Sequence, residues 1–319
     1  MPFPQVLLLG NGLNRAYSKD SWNDFLKSCS CLSEEEYDQL CSPMPLRAIV
    51  ATNNSVYSSI TQQKKDLIGQ TFSNDYLSVL QGLISSDIDQ IITTNYTYEL
   101  ETAAINKDSI SEYCLKKAST FIPDKAINKV ESKYLIRSYN KFLFKNQVVN
   151  VWHIHGEIRK PNSVVLGHYN YSALLSKMKG FSELRGDYYL RKQKSQKDVN
   201  YKSWIDYFIM GDIYVLGFGF DFSEFDLWWL INRKFNEKAN HGKIIIFEPE
   251  HCDGETEKER LLKLFGAEFK HCGIKIPKAE EDGSNKNEID SKYFEFYERA
   301  IKEIKELTNS KRRDNHGTF

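Results

Sequence analysis

Val6-Leu7-Leu8-Leu9-Gly10-Asn11-Gly12-Leu13-Asn14-Arg15 carries four uninterrupted apolar residues straight into a Gly-Asn-Gly turn, with a helical segment following. A half-solvated strand alternates apolar and polar residues, so an unbroken apolar run reads as a strand buried on both faces, the habit of parallel sheets. Small residues after such a strand let the backbone approach a pyrophosphate, whose charge is stabilised by N–H groups at a helix start. Arg15 can add a charge-assisted hydrogen bond to a phosphate. The pattern departs from the dinucleotide fingerprint, because Arg15 stands where the third glycine belongs. No second strand with an acidic residue follows about 20 residues on. An Asn-Gly turn that merely joins two elements is the alternative reading.

Working outward, similar apolar runs recur at residues 91–92, 148–154, 164–166, 213–216 and 243–247. Between them, apolar residues at three- and four-residue spacing predict helices over 22–29, 74–86, 225–235 and 257–265, and a long one over 291–307. Strands alternating with helices predict an α/β fold: a Rossmann-type parallel sheet with helices on both faces. Residues 33–70 and 107–145 break the alternation and are expected to form a mainly helical insertion that caps the ligand crevice. The expected organisation is one nucleotide-binding domain over 1–275, then a C-terminal loop, helix and polar tail over 276–319. Residues 282–287 are expected to be an exposed loop, and the tail to fray from Lys311 onward.

Lys+Arg and Asp+Glu stand equal at 43 each, so no global field draws the chain onto DNA or RNA, and nucleic acid is a poor default partner. The six cysteines, Cys29, Cys31, Cys41, Cys114, Cys252 and Cys272, form no C-x-x-C pair, which leaves a zinc ribbon without its ligand spacing. Scattered thiols fit a reducing compartment. The opening apolar run has no basic flank and is too short for a signal sequence, and no stretch approaches the roughly 18–20 apolar residues a membrane span needs. A cytoplasmic location is the resulting expectation. No P-loop motif occurs.

Four further places have the chemistry of a site. Ile91-Ile92-Thr93-Thr94-Asn95-Tyr96 is a buried strand whose end turns polar, where an α/β sheet lines its crevice. Asn95 there can bind a ribose hydroxyl or an attacking water, or it can cap a helix over 98–104. Val151-Trp152-His153-Ile154-His155-Gly156 places two histidines on the same face of one strand, since side chains alternate with period two. His155 is the candidate base, His153 a hydrogen-bonded structural residue, and no third metal ligand accompanies them. Leu216-Gly217-Phe218-Gly219 ends another strand. Ser223 then reads as the N-cap of the next helix, with Asp226 completing a capping box. Glu248, at the end of the last run, either binds an adenosine ribose or faces solvent.

In this order, the Gly10-Asn11-Gly12 turn with Trp22, Thr93-Thr94-Asn95-Tyr96, His155-Gly156, the stretch 163–171 and Leu216-Gly217-Phe218-Gly219 resemble the sirtuin-like domain family, in particular its bacterial NAD⁺-consuming anti-phage defence proteins. The resemblance spans about residues 6–248. It implies NAD⁺ as substrate, with hydrolysis of its nicotinamide–ribose bond. Asn95 and His155 match the catalytic positions, and Gly10, Asn11, Gly12, Asn14, Arg15, Thr94, Gly217, Gly219 and Glu248 line the nucleotide. It also implies control by self-assembly or a protein partner. The missing zinc ribbon argues against deacetylation, and no metal is expected. Thr97 stands where the family has Asp, which leaves a non-catalytic NAD⁺- or ADP-ribose-binding module as the rival. A reductase lacks both the fingerprint glycine and a Tyr-x-x-x-Lys pair.

Overall fold

The computed structural model of the chain describes residues 3–18, 22–28, 30–53, 56–68, 70–105, 110–122, 133–280 and 285–316. Five parallel strands form the interior of the sheet: β1 (Gln5–Leu9), β2 (Gln90–Thr93), β5 (Gln147–His153), β6 (Asp212–Leu216) and β7 (Ile244–Phe247). Every residue of β1, β2, β6 and β7 is buried. Alternate side chains enter opposite layers, with Leu7, Leu9, Ile91, Tyr214, Leu216 and Phe247 in one core and Val6, Leu8, Ile92, Val215 and Ile246 in the other. That two-sided burial is why the runs are continuous in sequence.

Beyond β5 the sheet is extended by β4 (Ser138–Phe144) and β3 (Ser119–Phe121), both antiparallel; beyond β7 it is closed by β9 (Ala267–Lys270). The eight-stranded order is β3-β4-β5-β2-β1-β6-β7-β9, and β8 (Glu250–His251) pairs separately with β10 (Lys275–Ile276). From β1 the chain first winds one way to β2 and β5, then returns to β6 and winds the other way. The reversal puts the switch point, where α/β sheets open a crevice, between the carboxyl ends of β1 and β6. Helices Asn74–Ile84 and Glu99–Ile105 cover one face, and His168–Arg185, Trp204–Met210 and Phe225–Phe235 the other.

Several expectations change. The described residues of 33–68 form three helices, Glu34–Asp38, Met44–Ala51 and Val56–Ile68, joined by short turns, but 110–145 supplies a short helix (Glu112–Ala118) and then β3 and β4. The β4–β5 hairpin turns at Lys145-Asn146, both with positive φ (45° and 67°), a two-residue turn made without the Asn-Gly or Asp-Gly that would have announced it. Residues 164–166 are buried but form no strand; a 3₁₀ turn (Pro161–Ser163) precedes them. The terminal helix runs Lys286–His316, through the residues expected to fray, and inserts Phe296, Tyr297, Ala300 and Ile304 into the core. Of the expected 282–287 loop, 282–284 lie outside the described residues, as do 317–319 of the tail and Cys29. Among the described residues, no helix is long and apolar enough to cross a membrane.

Candidate active site

The two glycine turns meet. Gly10 N–H donates to the Leu216 carbonyl and Gly12 N–H to that of Gly217, at 2.7 Å for the latter. A methyl group on Gly10 would stand 2.4 Å from the Gly217 oxygen, and Gly217 itself has φ +65°. These glycines are therefore required for packing alone: β1 and β6 turn away from the sheet in backbone contact. The N–H groups of Gly10 and Gly12, expected to face a phosphate, are engaged with carbonyls at the end of β6. Gly219, by contrast, is exposed with open space around it. Asn14 is buried and donates to Asn11 Oδ1 at 3.0 Å. Arg15 is exposed on the helix Gly12–Ser18, and Thr94 is half-buried. Glu248, half-buried at the end of β7, lies 3.5 Å from Lys258 Nζ.

Asn95 follows β2 at the same edge. It is 1% exposed, and its amide donates to Glu99 Oε1 at 2.5 Å, while Thr97 Oγ1 donates to the other Glu99 oxygen at 2.8 Å. A carboxylate only accepts, so this contact fixes the amide orientation: NH₂ toward Glu99, Oδ1 away. Oδ1 is buried with no hydrogen-bond partner among the described residues. Burial, the larger effect, raises the Glu99 pKa against the lowering by these hydrogen bonds.

The histidines do not share a face. β5 ends at His153, and the turn that follows carries His155 to the opposite layer. His153 lies between the Asn95 carbonyl (Nδ1, 2.7 Å) and Glu101 (Nε2, 2.6 Å). Burial acts to depress its pKa, but Glu101 prevails and raises it to about 9. Asn140 and Glu157 extend this cluster, and Arg159 pairs with Glu157 at 2.9 Å, which makes His153 structural.

His155 Nε2 lies 2.8 Å from Asp226 Oδ2 and 3.8 Å from Glu224 Oε2. Its ring packs edge-on against Tyr171, whose hydroxyl donates to Glu224 at 3.0 Å. Burial would depress the imidazole pKa; Asp226 and then Glu224 overcome this and raise it above 6.5. Burial lifts the Glu224 carboxyl to about 7, His155 opposing and Asp226 assisting. Asp226 is fully buried, and its Oδ1 has no partner among the described residues. The three ligand-type atoms of His155, Glu224 and Asp226 lie within 4.8 Å of one another, a composition that also suits a divalent cation. The close His155–Asp226 contact, however, has the length of an N–H···O bond.

This carboxylate pair is what the sequence reading missed. Local spacing places Asp226 in a capping box with Ser223, but Ser223 is captured by Asp221 at 2.6 Å, the N-cap residue is Glu224, and Asp226 turns to His155. Asn95 and His155 lie at the same sheet edge, although no hydrogen bond joins their side chains among the described residues. They are linked through backbone: Ile154 N–H donates to Thr93, Ile158 N–H to Tyr96, and Val165 N–H to His155. Tyr96 Oη donates to Val165 O at 2.7 Å. Gly156 has φ +93°, and a methyl there would stand 2.2 Å from the Ser163 oxygen.

A doubly wound α/β sheet with polar side chains converging at its switch edge defines a nucleotide-binding class of protein. Within that class, the model of the SIR2-like domain matches residues 89–270, more than half of the chain, from β2 to β9. The chain belongs to the SIR2-like, or sirtuin-like, domain family. In a comparison with curated proteins, none matches. SIR2-like domains bind NAD⁺.

Proposed function

We propose that the protein hydrolyses the nicotinamide–ribose bond of NAD⁺, and that it serves anti-phage defence by depleting NAD⁺. The observation that carries this reading is the unpartnered Asn95 Oδ1, buried at the carboxyl end of β2 and held in one orientation by Glu99. Buried acceptors are nearly always satisfied, so one left open beside a sheet switch point is a place for a ligand hydroxyl. Membership of an NAD⁺-binding family names the ligand class.

Nicotinamide leaves a cationic bond as a neutral ring, so the protein has chiefly to hold the ribose, favour an oxocarbenium-like transition state and manage one proton. Asn95 Oδ1 accepts from a ribose hydroxyl or the attacking water. His155 takes the proton released as water adds. The expected assay result is nicotinamide release by the purified protein, reduced about 10²–10⁴-fold in Asn95→Ala and His155→Ala. Full activity in both variants contradicts the assignment.

The second reading is a non-catalytic NAD⁺ or ADP-ribose module. It draws support from Thr97 at the family's Asp position and from the engagement of the Gly10 and Gly12 N–H groups within the fold. Tight nucleotide binding with no turnover selects it.

A further inference from the structure

We propose that Asp226 is a positioning residue that holds His155 in its Nε2–H form, so that Nδ1 is the atom that receives the proton. This rests on the hydrolase reading and specifies which nitrogen acts and what sets it. The contact is buried on both sides: His155 is 2% and Asp226 0% exposed, and Nε2 lies 2.8 Å from Oδ2. A carboxylate accepts, so the shared hydrogen belongs to Nε2, and a neutral imidazole then keeps its lone pair on Nδ1. Nδ1 has no hydrogen-bond partner among the described residues, and the only polar group bonded to the ring is Asp226.

The remaining groups facing the ring are consistent with this. Glu224, on the same helix start as Asp226, lies 3.8 Å from Nε2. Tyr171, from helix His168–Arg185, meets the ring edge-on and donates to Glu224 instead of competing for a ring nitrogen. Tyr96, next to Asn95, gives its hydroxyl to the Val165 carbonyl, and Val165 N–H holds the His155 carbonyl at 2.8 Å. The ring is thus fixed through both its backbone and its far nitrogen.

The step balances simply. A water O–H bond breaks, its proton forming a bond to Nδ1 and its electron pair staying on oxygen. That oxygen bonds to the anomeric carbon as the C–N bond breaks, with its electrons going to nicotinamide. The imidazolium formed sits against the Asp226 carboxylate and returns its proton to solvent.

The experiment combines ¹⁵N-histidine NMR of the wild-type protein with kinetics of Asp226→Asn and Asp226→Glu. Above its titration, wild-type His155 is expected to show a protonated Nε2 and an unprotonated Nδ1. In Asp226→Asn the amide can donate to Nε2, which shifts the ring toward the Nδ1–H form. There kcat for nicotinamide release falls by about 10²–10⁴-fold while KM stays within about threefold. The wild-type rate rises with pH as His155 loses its proton, and that rise moves to lower pH in Asp226→Asn, where the charge holding the proton is gone. Asp226→Glu recovers part of kcat.

A wild-type ring protonated on Nδ1 overturns the proposal, and this result needs no variant to fold. Unchanged kcat and pH profile in Asp226→Asn overturn it as well, as does stoichiometric Zn²⁺ binding by the wild type that Asp226→Asn abolishes. If the wild type releases no nicotinamide, the hydrolase reading fails, while the tautomer still decides whether Asp226 positions His155.

Discussion

Gly156 shows how the chain places one side chain through backbone alone. Its φ of +93° is open to glycine, and a methyl group would stand 2.2 Å from the Ser163 carbonyl oxygen, which cannot swing aside. Gly156→Ala is expected to destabilise the fold by about 2–4 kcal/mol and lower the thermal midpoint by several degrees. Gly180 makes the control: it lies inside helix His168–Arg185 with open space where a Cβ would go. Gly180→Ala should be neutral or gain about 0.5–1 kcal/mol. Calorimetry of the two variants checks both, and equal midpoints would refute the account of the 155–156 turn. At this scale the sequence was partly legible. A histidine followed by glycine after a buried run marks a turn with a functional group on it. The partner of His155 was hidden, because Asp226 lies 71 residues away in a stretch whose local spacing fits a helix cap.

Among the elements, helix Trp204–Met210 ends deep in the core, where its last carbonyls cannot reach water. Lys234, from helix Phe225–Phe235, supplies the donors: its Nζ reaches the carbonyls of Phe208 (3.2 Å), Ile209 (2.9 Å) and Gly211 (2.7 Å). A cation at a helix C-terminus is electrostatically favoured, but burial lowers the Lys234 pKa from 10.5 to about 7. Between those two values the unfolded chain binds more protons than the folded one, so this residue makes stability rise with pH, by up to about 1.4 kcal/mol per pH unit. Lys234→Met is expected to lose this slope. Urea titrations at pH 7.5 and 9 test it by difference, since His153, which titrates in the same range, is common to both proteins. Parallel stabilities in wild type and variant contradict it. The elements themselves were legible in proportion to their burial. β1, β2, β6 and β7, covered on both faces, announce themselves as apolar runs. β4 alternates buried and exposed residues, β9 carries Glu268 and Lys270, and the Lys145-Asn146 turn has no signature glycine.

Across the whole molecule, the order of the strands explains why residues distant in sequence share one edge. Winding outward from β1 in both directions brings the ends of β1, β2, β5, β6 and β7 to the same side, and with them Gly12, Asn95, His155, Gly217 and Glu248. This convergence could be anticipated from the α/β alternation and the polar residues at the run ends. The docking of the C-terminal helix could not: Tyr297 packs so close to the first turn that a methyl on Gly12 would stand 2.6 Å from its hydroxyl, a contact no local pattern encodes. The most direct test of a shared nucleotide site is the crystal structure of the His155→Ala protein with NAD⁺. The nicotinamide ribose is expected between Asn95 Oδ1 and the vacated imidazole position, with the pyrophosphate toward the Gly10–Gly12 and Gly217–Gly219 turns. A nucleotide bound away from Asn95, or on the far edge of the sheet, would contradict it.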